Sequence, residues 1–158
     1  MNRRSFLARL SASGLILSPL AAALSACGRQ GDWPEGMAEI KWDRDTCVRC
    51  SMVISDRRFA AQMRGGEKHT VFKFDDIGCL AFWLRDKVAQ HPWMAEPATR
   101  QWVADSSGMG ERWLDPRTAH FVGGKASPMG YNFAAVHAAV PGSLTFDSMR
   151  EQVLAKEK

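Results

Sequence analysis

The pattern of polar and apolar residues predicts two short strands in the first part of the chain. The segment 69–74 alternates between polar and apolar residues, 58–63 is a further short strand candidate, and a pair of glycines between them is typical of a tight turn. From Ile77 to about Gln90, apolar residues recur at spacings of three and four positions. This spacing predicts a helix with one buried face. The expected local order is therefore strand, turn, strand, helix.

The helix is expected to begin at a carboxylate cap and to end before two prolines. Asp75 or Asp76 is the predicted N-cap, because a short side-chain oxygen can accept a hydrogen bond from the free N–H groups of the first turn. Pro92 and Pro97 then interrupt the pattern, and 101–104 is a further strand candidate.

The second half of the chain repeats this theme loosely. Short runs favour strands at 113–114, 119–122, 132–136 and 144–146, the third of which also fits a short helix. A last helix is predicted after Asp147 as N-cap. The pattern indicates an α+β protein of two small lobes, residues 42–97 and 98–158, each made of strands and one helix.

The first 26 residues are typical of an export signal. A basic start precedes an uncharged apolar run from Leu10 to Ala26, and the run of 17 residues is short for a helix that must cross roughly 30 Å of hydrocarbon. The segment 2–7 resembles a twin-arginine signal. We therefore expect the protein to be exported.

Cys27 is predicted to be a lipid anchor rather than a metal ligand. Leu24-Ser25-Ala26-Cys27 resembles the bacterial lipobox, in which the cysteine is lipidated and becomes the mature N-terminus. Residues 27–41, which are rich in turn formers, are interpreted as this lipidated N-terminus and a flexible tether to the fold. The expected location is a membrane surface.

The charge distribution argues against nucleic-acid binding. The chain has 21 basic and 17 acidic residues, but Arg3, Arg4 and Arg9 belong to the leader, which leaves 18 basic against 17 acidic. Such a balance gives little attraction for phosphates. The sequence also contains no Ser-His-Asp constellation and no phosphate-binding glycine loop, so an enzyme is not expected.

The most informative chemistry lies in Thr46-Cys47-Val48-Arg49-Cys50-Ser51-Met52. A c-type haem would require a histidine after the second cysteine, and a structural zinc site would require a second pair of ligands, neither of which is present. A thioredoxin-like pair is expected before a helix, whereas the residues after Cys50 favour an extended chain. Cys50 and Met52 would then face the same side, with Cys47 approaching from the preceding turn.

Thiolate and thioether sulfurs are soft donors that select Cu(I). Met129 is the candidate for a further ligand, because Pro128 and Gly130 place it in a tight loop. Met109, between two glycines, is the competing loop methionine, and His120 is the histidine of most interest. Cys79 lies one step off the apolar face of the predicted helix, and packing is its expected role.

Four separated motifs resemble the NosL family of membrane lipoproteins that accompany nitrous-oxide reductase. They are Cys47–Asp56 and Arg58–Gln62, then Phe74–Leu80, then Ala119–Val122 with Ser127–Gly130. The residue after Cys50 is serine, where glycine is expected in many relatives. The segment after Met129 is also short, so the second lobe is expected to be abbreviated.

The resemblance implies a Cu(I)-binding chaperone for maturation of nitrous-oxide reductase. Our hypothesis from the residues themselves is that Cys50, Met52 and Met129 hold the copper while Cys47 assists. The resemblance also implies two related ββαβ lobes, an ABC-type assembly complex as partner, and a periplasmic position on the outer membrane. The alternative from another class is a thiol-disulfide redox protein that uses Cys47 and Cys50. In an oxidising compartment these two cysteines would also be able to form a structural disulfide.

Overall fold

The computed structural model describes residues 33–156. The export signal, the twin-arginine-like segment and Cys27 lie outside the described residues. No helix between residues 33 and 156 combines the length and the apolar character needed to cross a membrane.

A four-stranded antiparallel sheet and one helix form the first part of the fold. The strand order is β2-β1-β3-β4, so the first hairpin pairs along one edge of β3. A short 3-10 helix, Pro92–Ala95, follows the α-helix. The elements are β1 Ala61–Gly65, β2 Thr70–Phe74, α1 Ile77–Lys87, β3 Arg100–Ala104 and β4 Trp113–Leu114.

The second part of the fold is smaller. Strands β5 (His120–Gly123) and β6 (Phe133–Val136) form an antiparallel hairpin, and helix α2 (Phe146–Leu154) follows them. Leu144 makes only an isolated bridge to Phe121, and the N-cap of α2 is Thr145 rather than Asp147, because the Thr145 hydroxyl accepts from the Ser148 N–H. The α+β class is confirmed, and this second unit is an abbreviated ββα.

The pairing of β3 extends the first lobe beyond the predicted boundary between residues 97 and 98. Strand β3 pairs with β1 from Ala61↔Val103 to Arg64↔Arg100, so the first sheet continues beyond residue 97 and ends at β4. The sequence division at 97/98 followed the prolines around the 3-10 helix. Those prolines only interrupt the chain between α1 and the strand that completes the first ββαβ unit.

The predicted tether is shorter than the sequence suggested. Met37 and Ile40 are buried in the core, and Trp33 packs against Trp113 of β4 with 5.5 Å between ring centroids. The buried Gln62 side chain accepts a hydrogen bond from the Ala38 N–H and donates one to the Ala38 carbonyl, both at 2.7 Å. This amide mimics a strand partner, so residues 33–41 belong to the folded part of the chain.

The N-terminal turn of α1 is packed directly against an aromatic ring from the second unit. Tyr131 is fully buried, and a Cβ added at Gly78 would lie 2.1 Å from its Cδ2 atom. Phe82, one turn further along the helix, packs on the same ring with 5.4 Å between centroids. Glycine at position 78 is therefore required by the close approach of the ring to the helix backbone.

We predict that Gly78→Ala destabilises the protein by about 3 kcal/mol, because the new methyl group overlaps the fully buried ring of Tyr131. Urea unfolding measures this change as a shift in midpoint. Gly123→Ala is the matched control, since the nearest atom to a Cβ there is 3.5 Å away and the change should stay within about 0.5 kcal/mol. Equal stability of the two variants would contradict this packing.

Candidate metal centre

The segment Cys47–Met52 closes a short antiparallel pairing as a tight loop. Thr46 bridges Val53, and the Cys47 N–H donates to the Met52 carbonyl at 2.8 Å. The Val48 N–H donates to the carbonyl of Lys73, which attaches the loop to strand β2 at 3.0 Å. Ser51 has a φ of 62°, in the left-handed region that glycine favours, which agrees with the glycine expected at this position.

This loop replaces the extended chain that was predicted from the sequence. Residues 48–50 form a turn, and the Ser51 N–H returns to the Cys47 carbonyl at 2.9 Å. The alternation that would have placed Cys50 and Met52 on the same side therefore does not apply. The β-favouring residues Val53 and Ile54 do pair with the opposite side of the loop, but only after it has closed.

Three thiols and one carboxylate converge behind the loop. The ligand atoms of Cys47, Cys50, Asp75 and Cys79 all lie within 4.8 Å of one another. Cys47, Cys79 and Asp75 are buried, whereas Cys50 is half-buried and forms the side of the cluster nearest the surface. The cysteine loop contributes two donors, the end of β2 contributes Asp75, and the start of α1 contributes Cys79. The cluster therefore depends on the tertiary fold.

Asp75 is the unusual member of the cluster, because it is a buried carboxylate with an unused oxygen. Its Oδ1 atom accepts a hydrogen bond from the Cys50 thiol at 3.4 Å, while Oδ2 has no hydrogen-bond partner. An unsatisfied buried oxygen costs about 1–3 kcal/mol, and a bound cation would remove this cost. The donor arrangement therefore fits a metal ion.

Hydrogen bonds to sulfur make Cys47 the most acidic thiol of the cluster. Its pKa is lowered to about 7, chiefly by a hydrogen bond from Cys79, with further help from the backbone N–H groups of Cys50 and Asp75. Burial and the negative charge of Asp75 oppose this shift. A thiolate at Cys47 is thus available near neutral pH.

The other two thiols hold their protons more tightly. Burial raises the pKa of Cys50 to about 12, and the adjacent Cys47 and Asp75 add to the effect. The pKa of Cys79 is also raised, first because its hydrogen donates to Cys47 and then because it is buried. Binding a metal through all three sulfurs therefore requires that protons leave the cluster.

A second carboxylate holds the loop that carries Met129. Asp76 caps α1 by accepting from the Gly78 N–H at 2.9 Å, as one of the two predicted caps. Its other oxygen accepts from the Ser127 hydroxyl at 2.6 Å and from the Met129 N–H at 3.2 Å. Asp76, which directly follows Asp75 in the chain, thereby fixes the loop of Met129.

The remaining predicted residues occupy different surroundings. Met52 is 49% exposed, beside Cys50 at the surface, and Met129 is half-buried against the core. Met109 is 61% exposed, in the loop between β3 and β4, and His120 is half-buried in β5. His120 is not part of the cluster of three thiols and one carboxylate found among the described residues.

Cys79 and Asp75 are the cluster members that sequence reasoning did not include. Cys79 was assigned to packing, and it is indeed fully buried, but its sulfur faces the other thiols. The pair Asp75-Asp76 offers a clue in the sequence, because a helix needs only one carboxylate as its N-cap. The other carboxylate is then free to serve as a metal ligand. Cys79 lies 32 positions after Cys47, and no local spacing rule connects the two.

Soft sulfur donors dominate this set of ligands. The three thiols of the cluster suit a soft metal ion such as Cu(I), and its single carboxylate is poorly suited to calcium or magnesium. Zn²⁺ also accepts thiolate and carboxylate ligands in a tetrahedral site. The geometry therefore supports a thiophilic metal and leaves Zn²⁺ as the competitor.

No protein-family model matches the sequence, and no curated protein sequence matches it. Among solved structures, the chain resembles the copper chaperone NosL from Shewanella denitrificans, with a TM-score of 0.55 and 18% sequence identity. The match covers 75% of this chain and 89% of that chain. The resemblance predicted from the four motifs is confirmed at the level of the fold, which is similar to that of this NosL structure.

Proposed function

We propose that this protein is a Cu(I) chaperone, which binds one copper ion at Cys47, Cys50 and Cys79 with a thioether from Met129 and then passes it on. The observation that carries the proposal is the convergence of three thiols and a buried, incompletely satisfied carboxylate within 4.8 Å. The NosL-like fold supports the same conclusion independently. Copper is the cargo of this site.

The exposure of the ligands suits a carrier that must release its ion. Cys47 and Cys79 are buried, whereas Cys50 is half-buried and Met52 is 49% exposed. Copper can therefore enter and leave along the side of Cys50 and Met52, where an incoming ligand can replace them one at a time. Val48 and Val53, in and directly after the same loop, are also exposed apolar side chains.

The biological setting belongs to the same proposal. The lipobox-like residues before Cys27 support a lipid anchor on the periplasmic face of a bacterial membrane, the outer membrane in particular. The four family-like motifs support delivery of copper to nitrous-oxide reductase during its maturation, together with an ABC-type assembly complex. No catalytic step is assigned to the protein.

A thiol-disulfide function remains the second candidate, because the three thiols are close enough to react with one another after small movements. Two features favour the copper function. Cys47 and Cys50 lie in a turn and not at the start of a helix, and a third thiol, Cys79, lies within 4.8 Å of both, which a two-cysteine redox pair does not require.

We predict that Cys50→Ser and Cys79→Ser each weaken Cu(I) binding by more than about 100-fold, since even the loss of a supporting residue around a metal commonly weakens binding by 10- to 100-fold. Competition with a chromophoric Cu(I) chelator, under reducing conditions, measures the affinity. Met109→Leu is the matched control for an exposed sulfur, and it should leave the affinity unchanged.

Two results of that experiment would contradict the proposal. One is that the reduced wild-type protein does not compete for Cu(I), or that it binds Zn²⁺ and excludes Cu(I). The other is that Cys79→Ser has wild-type affinity while dithiol reductase activity depends on Cys47 and Cys50, which would favour the redox protein.

We predict that Cu(I) binding releases about two protons at pH 8 and about three at pH 6. Cys47, with a pKa of about 7, is already a thiolate at the higher pH, whereas Cys50 and Cys79 must lose their protons at either pH. Copper affinity should accordingly fall as the solution is made more acidic. Proton release is measured in weakly buffered solution on addition of a labile Cu(I) complex, and release of less than one proton at pH 8 would exclude a three-thiolate site.

A further inference from the structure

The loop that carries Met129 is fixed by an unusually complete set of hydrogen bonds. Asp76, which is fully buried, accepts from the Ser127 hydroxyl and from the Met129 N–H through the same oxygen. Inside the loop, the Gly130 N–H donates to the Ser127 carbonyl at 2.9 Å, and the Asn132 N–H donates to the Ser127 hydroxyl at 2.9 Å. Ser127 is thus the centre of the loop.

The other end of the loop is attached to the cysteine turn itself. Arg49, which lies between Cys47 and Cys50, donates from Nη1 to the Tyr131 hydroxyl at 2.9 Å. Its guanidinium carbon lies 4.2 Å from the centre of the Phe82 ring, on helix α1. The cysteine turn, the start of α1 and the loop around Met129 are therefore joined by contacts on both sides of Met129.

These contacts fix the backbone from which the flexible Met129 side chain extends. A methionine has three rotatable bonds and adapts to many surroundings, so a thioether on a mobile loop would be a poor ligand. The buried Asp76 carboxyl group holds the backbone of Met129 by accepting a hydrogen bond from its N–H at 3.2 Å. The preceding residue, Asp75, is itself part of the thiol cluster.

We propose that Asp76 is a positioning residue of the copper site, which acts through Ser127 and the Met129 N–H to hold the loop from which the Met129 thioether would reach the copper ion. This inference rests on the proposed copper function and adds how the second unit of the fold contributes to the site. Asp76 does not contact the metal in this arrangement. The Arg49–Tyr131 pair supports the same loop from the opposite side.

A double-mutant cycle on Cu(I) affinity tests the proposal with the full-length protein. Ser127→Ala removes the 2.6 Å hydrogen bond and should weaken Cu(I) binding by about 10- to 100-fold, whereas Ser127→Thr keeps a hydroxyl and should restore most of the affinity. In the Met129→Leu background, Ser127→Ala should cause no further loss, because the residue it positions is already gone.

Ser143→Ala is the matched control. The Ser143 hydroxyl also accepts a backbone N–H within a loop of the second unit, from Val140 at 3.2 Å, but that loop has no contact of this kind with Asp76. Its removal should leave Cu(I) affinity unchanged in both backgrounds. Tyr131→Phe, which deletes only the hydroxyl that accepts from Arg49, gives a second cycle with Met129→Leu if Ser127→Ala does not fold.

Wild-type affinity in Ser127→Ala, or equal losses from Ser127→Ala with and without Met129, would overturn the positioning role while leaving the copper function standing. Unchanged affinity in Met129→Leu alone would also overturn it. Failure of the wild-type protein to bind Cu(I) would instead remove the proposed function, and this inference with it.

Discussion

Two neighbouring carboxylates at the start of helix α1 organise the molecule. Asp76 is fully satisfied: it caps the helix and binds the loop of Met129. Asp75 is buried beside three thiols and keeps one oxygen without a hydrogen bond. Asp76 thus stabilises the fold, whereas the unpaired oxygen of Asp75 can be satisfied by a bound cation. Two adjacent residues therefore serve different purposes, one in the fold and the other in the proposed metal site.

Most of the secondary structure was predictable because it depends on local patterns. The hairpin of β1 and β2, the start of α1 and the short strand β4 follow from alternation, from helical spacing and from a carboxylate cap. The sequence does not show that β3 returns to pair with β1, since strand pairing is set by the tertiary fold. The same limit applies to residues 33–41, where Pro34 and Gly36 suggested a tether while Met37 and Ile40 supply core contacts.

The candidate site was predictable in kind but only partly in composition. Two cysteines and a methionine close to them in the sequence indicated soft-metal chemistry, and both cysteines do belong to the cluster of three thiols. Cys79 and Asp75 join the cluster only because the end of β2 and the start of α1 pack behind the cysteine turn. Spacing rules describe ligands within one segment, and they carry no information on a donor that a different element brings in. The turn at residues 48–50 likewise depends on its attachment to Lys73.

Copper K-edge X-ray absorption on the reduced full-length protein, loaded with one Cu(I), tests the central claim most directly because it counts the sulfur neighbours of the metal. The arrangement predicts a first shell of about three to four sulfur atoms, drawn from the three thiolates and a thioether. A first shell made mainly of nitrogen and oxygen atoms, or one with a single sulfur, would contradict it.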